Sequence, residues 1–405
     1  MIRILAWRNI WRNRLRSIII TAAVSLGIFA GIFIIAFSNG AVNSRIEAVV
    51  STEISHIQIH KFGFLDNNEF SLRFTVSDSL MKKLTATPHI AAISKHIIIN
   101  SMVSSAETGT GVKITGIDPA QEMKVSNLHT KIIKGEYPGE AGRNPVIISE
   151  RLASKLKAGL HGKIVLTMQD KSGDITGGAF RIAGIYRTDN MIFDDVNIFV
   201  RNSDLARMTG IGVNEAHEIA LLLDDNDNTA SVSSALSASL PGFDVKNWLQ
   251  LSPDAGALVG AMNQYTYIFT IIILLALSFG IVNTMLMAIM ERRHELGMLM
   301  AVGMNRIRIF TMVMLETLYL SLTGGVIGIL GGWAVSVYLG KTGINLFFWK
   351  EAFGELGFSS LIYPAADTRV IILTAVMVIV SGILSAIYPA LKAVSFNPSQ
   401  AIRSI

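Results

Sequence analysis

The chain has 405 residues, 51% of them hydrophobic and 16% charged, with a net charge of +5. That is too apolar for an ordinary soluble protein of this length, so a membrane protein is expected. It contains no cysteine, which excludes disulfides, thiolate metal sites, a cysteine nucleophile and lipid attachment through a thiol.

Residues 1–16 carry Arg3, Arg8, Arg12, Arg14 and Arg16 and no acid. Ile4, Trp7, Trp11 and Leu15 recur at helical spacing with arginines on another face, the pattern of an elbow helix lying in the headgroup layer. An ordinary flank with aromatic belt residues reads the same way. Residues 17–40 are the first apolar run, and about 20 such residues cross the roughly 30 Å hydrocarbon layer. A cleaved signal peptide also begins with basic residues. Here the run is too long for a signal core and Ser38-Asn39-Gly40-Ala41 is a poor cleavage site, so a retained span is expected.

Residues 41–254 have the composition of a globular domain. Alternating or apolar runs in HIQIHKF, VKITGID, NPVIISE, KIVLTMQD, FRIAGIY and NIFV predict strands broken by Gly, Pro and Asp turns. SERLASKLKAGLHG and NSDLARMTG predict short helices with Ser caps and Gly stops. The domain is therefore expected to be α+β. His56 and His60 would share a solvated strand face with Gln58, giving no helical metal-ligand geometry. Asp194 and Asp195 would point oppositely from a strand, as surface acids. Asp224–Asn228 and the Ser/Ala run 230–239 read as a surface connection.

Residues 255–290 form the second span and residues 309–340 the third. Both exceed one crossing, which predicts helical stalks beyond the bilayer. The third carries one acid, Glu316, placed about two turns from Arg306 and Arg308; a structural ion pair or polar helix contact there is favoured over a proton relay. Gly324, Gly328, Gly332, Ser336 and Gly340 recur every fourth residue, Ala23, Gly27 and Gly31 do so on the first span, and Gly382, Ala386 and Ala390 on the fourth. Such ridges let helix backbones approach closely in lipid. Leu339-Gly340-Lys341-Thr342-Gly343 resembles the end of a phosphate loop, but Val335 stands where its first glycine belongs. No nucleotide or metal site and no catalytic residue is identified. Residues 341–369 form an external loop, 370–389 the fourth span and 390–405 a tail.

The positive-inside rule puts both termini in the cytoplasm. Segments 1–16, 291–308 and 390–405 hold 11 Lys+Arg against Glu291 and Glu295, whereas 41–254 holds 21 against 24 acids. Membrane orientation thus accounts for the basic excess, and no nucleic acid is needed. The expected architecture is four transmembrane α-helices, N-in and C-in, with a large α+β extracytoplasmic domain inserted between the first two.

Several of these stretches together resemble the FtsX-like permease family of ABC transporters, of the MacB and lipoprotein-releasing type. They are LAWRNIWRNRLRS, VKITGIDP with NPVIISERLASKL, ERRHELGMLMAVGM, LETLYLSLTGGVIGILGG, and YPALKAVSFNPSQAIR with Pro389, Pro398 and Arg403. The resemblance implies a MacB-like periplasmic domain at 41–254 and a multi-pass protein of the bacterial inner membrane. It implies a non-catalytic permease subunit, paired with a second identical or related copy and driven by a separate cytoplasmic ATPase dimer that uses ATP and Mg. Its implied work is lipoprotein release, with a periplasmic carrier as a further partner. The alternatives within the family are mechanotransmitting efflux of drugs or peptides and transmembrane signalling to cell-wall hydrolases, the latter disfavoured by the size of the external domain.

Within 291–308, Glu291 and Glu295 lie one turn apart, Leu296, Leu299 and Met300 fall at helical spacing, Gly303 can end the turn and Asn305 can cap the next helix. This predicts a short amphipathic coupling helix. Its apolar side would enter a groove on the ATPase, with Arg292, Arg293 and Glu295 setting the register.

Overall fold

The structure is a computed structural model that describes residues 6–8, 12, 14–139, 142–366 and 368–396. The chain divides into two units, one comprising Met1–Val42, Gly260–Asn345 and Leu361–Ile405, the other Asn43–Val259 and Leu346–Ser360.

Four long helices, Arg14–Ala48, Pro253–Glu291, Arg306–Thr342 and Thr368–Val394, dominate the first unit. Each is long and apolar enough to cross a membrane. At about 1.5 Å per residue the first three run to roughly 50–60 Å, nearly twice the hydrocarbon layer. The overrun predicted for the second and third helices is thus shared by the first, which passes residue 40 to Ala48 and ends in a π-helical turn, Val49–Ile54. The fourth continues through Pro389 to Val394, so the tail begins later than residue 390. Pro398 and Arg403 lie outside the described residues.

The small residues of the third helix seat the first. A Cβ added at Gly324 would lie 2.8 Å from the Val24 side chain, and one at Gly328 2.7 Å from the Ser25 carbonyl. At Gly332 it would lie 3.0 Å from Ile32. Gly27 faces only a Leu277 methyl group, and Gly31 has Ile273 at an ordinary 3.9 Å, so the first helix's ridge is slacker. Hydroxyl contacts add ties: Ser25 donates to the Gly324 carbonyl at 3.0 Å, Ser38 meets Thr266 at 2.6 Å, and Ser278 meets Ser381 at 2.8 Å. With no hydrophobic drive between helices in lipid, such close backbone approach and polar contact supply the association.

The second unit is built on a ten-stranded mixed sheet. Its strands are β1 (Ile57–His60), β3 (Ile90–Ser104), β4 (Gly109–Ile117), β5 (Ile132–Gly135), β6 (Pro145–Ser149), β7 (Lys163–Gln169), β8 (Ile175–Tyr186), β9 (Asn197–Arg201), β11 (Glu218–Leu223) and β12 (Asp244–Asn247), while β2 (Phe74–Thr75) and β10 (Glu215–Ala216) pair apart. The long β3 holds two lobes together: Ile90–His96 pairs with β11, and Ile97–Ser104 with β4. One core gathers β3, β4 and β6–β9; another lies under β1, β11 and β12.

Four sequence expectations are corrected here. The β1 strand lies between β11 and β12, and both His60 on it and His56 just before it are buried rather than solvated, His60 stacking on Phe64 at 5.2 Å. Asp194 and Asp195 sit on a helix, Met191–Val196; Asp194 is buried and takes a 2.8 Å bond from the Thr188 hydroxyl, and burial pushes its carboxyl up to about 6. Thr229–Ser239 is a helix that puts Val232 and Leu236 into the core, not a surface connection. The helix Asn202–Thr209 starts after Arg201 without a Ser cap, and Glu150–Lys155, capped by Ser149, ends at Leu156 before any glycine. In the first three cases local polarity concealed burial that comes from neighbours distant in sequence.

A buried ion cluster joins β3, β11 and the helix Pro119–Val125. His96 Nδ1 lies 2.7 Å from Glu218 and Nε2 2.6 Å from Glu122, while Ser94 donates to Glu122 at 2.7 Å. Burial alone would lower the His96 imidazole, but the charge of Glu122 and the hydrogen bonds of both carboxylates outweigh it and lift it to about 10. Burial likewise opposes ionisation of Glu218, yet its bond with His96 brings it down to about 2. The imidazolium of His96 therefore stabilises the fold fully below its ordinary 6.5 and loses that contribution as pH rises through about 10. Glu218 contributes above its ordinary 4.5 and loses it as pH falls through about 2.

His96→Gln should therefore cost about 3–5 kcal/mol, because two carboxylates stay buried with no cation. The deficit relative to wild type should be greatest between pH 4.5 and 6.5 and shrink toward pH 10, read from hydrogen exchange of the β3–β11 amides in the detergent-solubilised chain. In the helical unit, Gly328→Val should cost about 1–3 kcal/mol by overpacking, while Gly31→Ala should be nearly neutral, both read as thermal midpoints in detergent.

Candidate functional site

Two breaks shape the segment between the second and third long helices. The second helix ends at Glu291, a short helix covers Arg293–Ala301, and Gly303 reverses the chain at φ +98°. The Asn305 side chain then accepts from the Ile307 N–H at 3.2 Å and opens the third helix. The predicted helix, turn and cap are therefore all present, and Glu291 closes the preceding helix.

Which side of the short helix faces inward differs from the expectation. Leu296 is 2% exposed and packs with Ile289, Ile309, Met312, Ala390 and Ala393, and Leu299 and Met300 pack partly against the same cluster. The predicted docking residues thus fasten the segment to its own unit. The outer face presents Met298 at 53%, Val302 at 89% and, just beyond the turn, Ile307 at 71% exposure. Beside Ile307 opens a cleft of about 400 Å³ lined by Arg306, Phe310, Leu391, Val394 and Ser395.

The charges are also engaged internally. Arg292 donates to Glu316 at 2.9 and 3.2 Å and meets Glu295 at 3.2 Å, and Glu295 is held in turn by Arg12. Among the described residues Glu316 thus pairs with Arg292, not with Arg306 or Arg308. Arg293 lies over the Phe396 ring at 5.7 Å. The hydrogen bond from Arg12 holds the Glu295 carboxyl below its usual range, despite partial burial, and the same bond raises Arg12. Trp7 meets Tyr319 edge-on at 5.8 Å, and Ala6 is buried in the Leu296 cluster. The N-terminal segment, the short helix and the third helix are thereby joined through alternating charges. Arg12 was not singled out in the sequence as a site residue: it lies 283 positions from Glu295, and no periodicity links them.

Among the described residues no group of His, Asp and Glu side chains is arranged to hold a metal. The 339–343 stretch resembling a phosphate loop is the end of the third helix, turned by Gly343 at φ +74°. The arrangement is one of packed helices and paired charges.

The family profile for the FtsX-like permease C-terminal region matches residues 267–398, and that for the MacB-like periplasmic core domain matches residues 17–239. The lipoprotein-releasing system transmembrane protein LolC of Neisseria meningitidis is 22% identical over 366 residues, which cover 85% of this chain and 84% of that one. The uncharacterized ABC transporter permease YknZ of Bacillus subtilis is 26% identical, over 65% of this chain and 62% of its own. The macrolide export ATP-binding/permease protein MacB of Neisseria gonorrhoeae is 21% identical, over 91% of this chain but 55% of its own.

Arg292→Ala and Glu316→Gln should each destabilise the helical unit and should not add. The double variant should reveal a coupling of about 0.5–3 kcal/mol, and the exchange of Arg292→Glu with Glu316→Arg should recover part of the loss. Thermal unfolding in detergent measures all four variants.

Proposed function

The chain belongs to the FtsX-like permeases of ABC transporters that carry a MacB-like periplasmic core domain, and on that premise we propose that it couples ATP hydrolysis by a separate cytoplasmic ATPase to the release of lipoproteins from the inner membrane. The reading places both termini and the segment 291–308 in the cytoplasm, with the inserted unit in the periplasm. ATP and Mg are used by the ATPase partner, and two permease subunits, identical or related, pair in the membrane.

The observation that carries the coupling role is the outward face Met298, Val302 and Ile307 beside its cleft. Behind that face the inner residues and charges are committed to the unit's own packing. An ATPase pushing on the face therefore moves a body already tied to the third helix and to Arg12, so a displacement passes up the helix rather than being absorbed in a loose loop. Polar and charged neighbours favour a protein partner on this face: His294 is exposed on it, and Arg306 and Arg308 adjoin it.

Lipoprotein release is favoured over the alternatives because the likeness to LolC extends over most of both chains. Efflux is the second reading, favoured by the span of this chain aligned with MacB.

Depletion of the protein followed by fractionation of lipoproteins between inner and outer membranes tests the substrate. Retention in the inner membrane is the expected result, and normal sorting with increased drug sensitivity would transfer the protein to the efflux reading. Combining Met298→Asp with Val302→Asp should weaken ATPase binding by about 2 kcal/mol or more, as at an interface centre, while the protein still inserts. Leu299→Asp should instead lower the thermal midpoint of the permease itself.

A further inference from the structure

The segment Leu346–Ser360 lies between the third and fourth helices and is not used in any of the roles above. It is a folded excursion with a closed base. Ile344–Asn345 (β13) pairs with Leu361–Ile362 (β14), and the Leu346 N–H continues the ladder to the Ser360 carbonyl at 2.7 Å. Within it, a 3₁₀ turn, Phe347–Trp349, leads into a helix, Lys350–Glu355. It is packed on its inner side: Phe358 is buried and meets Phe353 edge-on at 6.3 Å, and Gly354 packs against Met191 of the same unit.

Against that packed interior, three consecutive aromatic side chains are left outside, Phe347 at 68%, Phe348 at 98% and Trp349 at 63% exposure. Leu356 is exposed as well. A 3₁₀ turn has about three residues per turn, so the three rings project roughly 120° apart. A rigid protein groove receives one or two such rings, whereas a fluid interface surrounds all three.

The height of this turn is set by its own chain. The Ala365 N–H donates to the Ala36 carbonyl at 2.8 Å, the Tyr363 carbonyl lies against Gly40, and the Pro364 carbonyl lies where a Gly340 Cβ would meet it at 2.7 Å. Ala36 and Gly40 stand about 20 residues beyond Ser17, where the apolar run begins, which is one hydrocarbon thickness. Phe347 is five residues past Thr342, the end of the third helix, a reach of roughly 17 Å at most. The aromatic turn therefore lies within reach of the bilayer surface opposite the arginine-rich end. By span parity this is the face that bears the inserted unit.

We infer that Phe347, Phe348 and Trp349 form an interfacial anchor that inserts into the headgroup region of the lipid leaflet on that face, with Lys350 beside the phosphates. Aromatic rings are favoured at this depth, and an adjacent cation strengthens the attachment.

The absence of native cysteine allows a direct test. Phe348→Cys in the full chain, labelled with an environment-sensitive fluorophore and placed in lipid nanodiscs, should lose most of its emission to a nitroxide carried at a shallow position on the lipid, and little to aqueous iodide. Val213→Cys, at a residue 90% exposed in the same unit, should do the opposite. Trp349→Cys repeats the measurement should the first variant insert poorly. A Phe348 label that responds to iodide as the Val213 label does would overturn the anchor. So would a label shielded from both quenchers, which would mean that another protein surface, such as a second copy of this chain, covers the turn.

Discussion

A carboxylate two turns inside an apolar helix persists only where a cation reaches it, and Arg292 meets that demand for Glu316 from the start of the neighbouring segment. Both side chains are largely sheltered, at 18% and 10% exposure, whereas Arg12 and Glu295 further along the chain are far more open. The inner pair accordingly carries most of the constraint, since solvent and salt screen an exposed pair. To keep Glu316 paired, the segment after the second helix must hold one orientation. That orientation turns Leu296 inward and Met298 and Val302 outward. One electrostatic requirement thereby decides which face of a nine-residue helix is available to a partner.

The glycines of the third helix serve the same rigidity by a different means. At Gly324 and Gly328 the first helix comes so close that any side chain would meet backbone carbonyl groups. Helices in such contact slide or tilt together. Charge pairing at one end and close backbone contact along the middle tie the third helix to both the short segment and the first helix. The fourth helix joins it through Gly382 against Ser321, and the aromatic turn lies at the opposite end of this pair in sequence.

In the inserted unit, burial rather than residue type decides chemistry. His56, just before β1, and Gln58 and His60 on it alternate as a polar face would, yet both sides of that strand are covered. Strand periodicity tells which residues share a face, but only the packing of helices and further strands tells whether that face is wet. The same reason explains Asp194 and the Ser/Ala-rich helix Thr229–Ser239. That helix reaches the core through Val232 and Leu236 while its alanines stay exposed, and the serines between them conceal the buried side in the sequence.

Much of the architecture was legible because a membrane imposes one-dimensional rules. Length of apolar run and fourfold spacing of glycines are local properties of the chain, and they located the long helices and the small-residue ridge, as the helical spacing of Leu296, Leu299 and Met300 with Gly303 and Asn305 located a short helix within 291–308. Pairings had no such signature. That Arg12 meets Glu295, that Arg292 rather than Arg306 or Arg308 meets Glu316, and that His96 is clamped between Glu122 and Glu218 depend on residues brought together from far apart in sequence. The sequence by itself determined where the chain is apolar enough to leave water. Only the tertiary structure decided which charges neutralise one another and which apolar side chains stay uncovered, because both depend on distances between segments that no local pattern encodes.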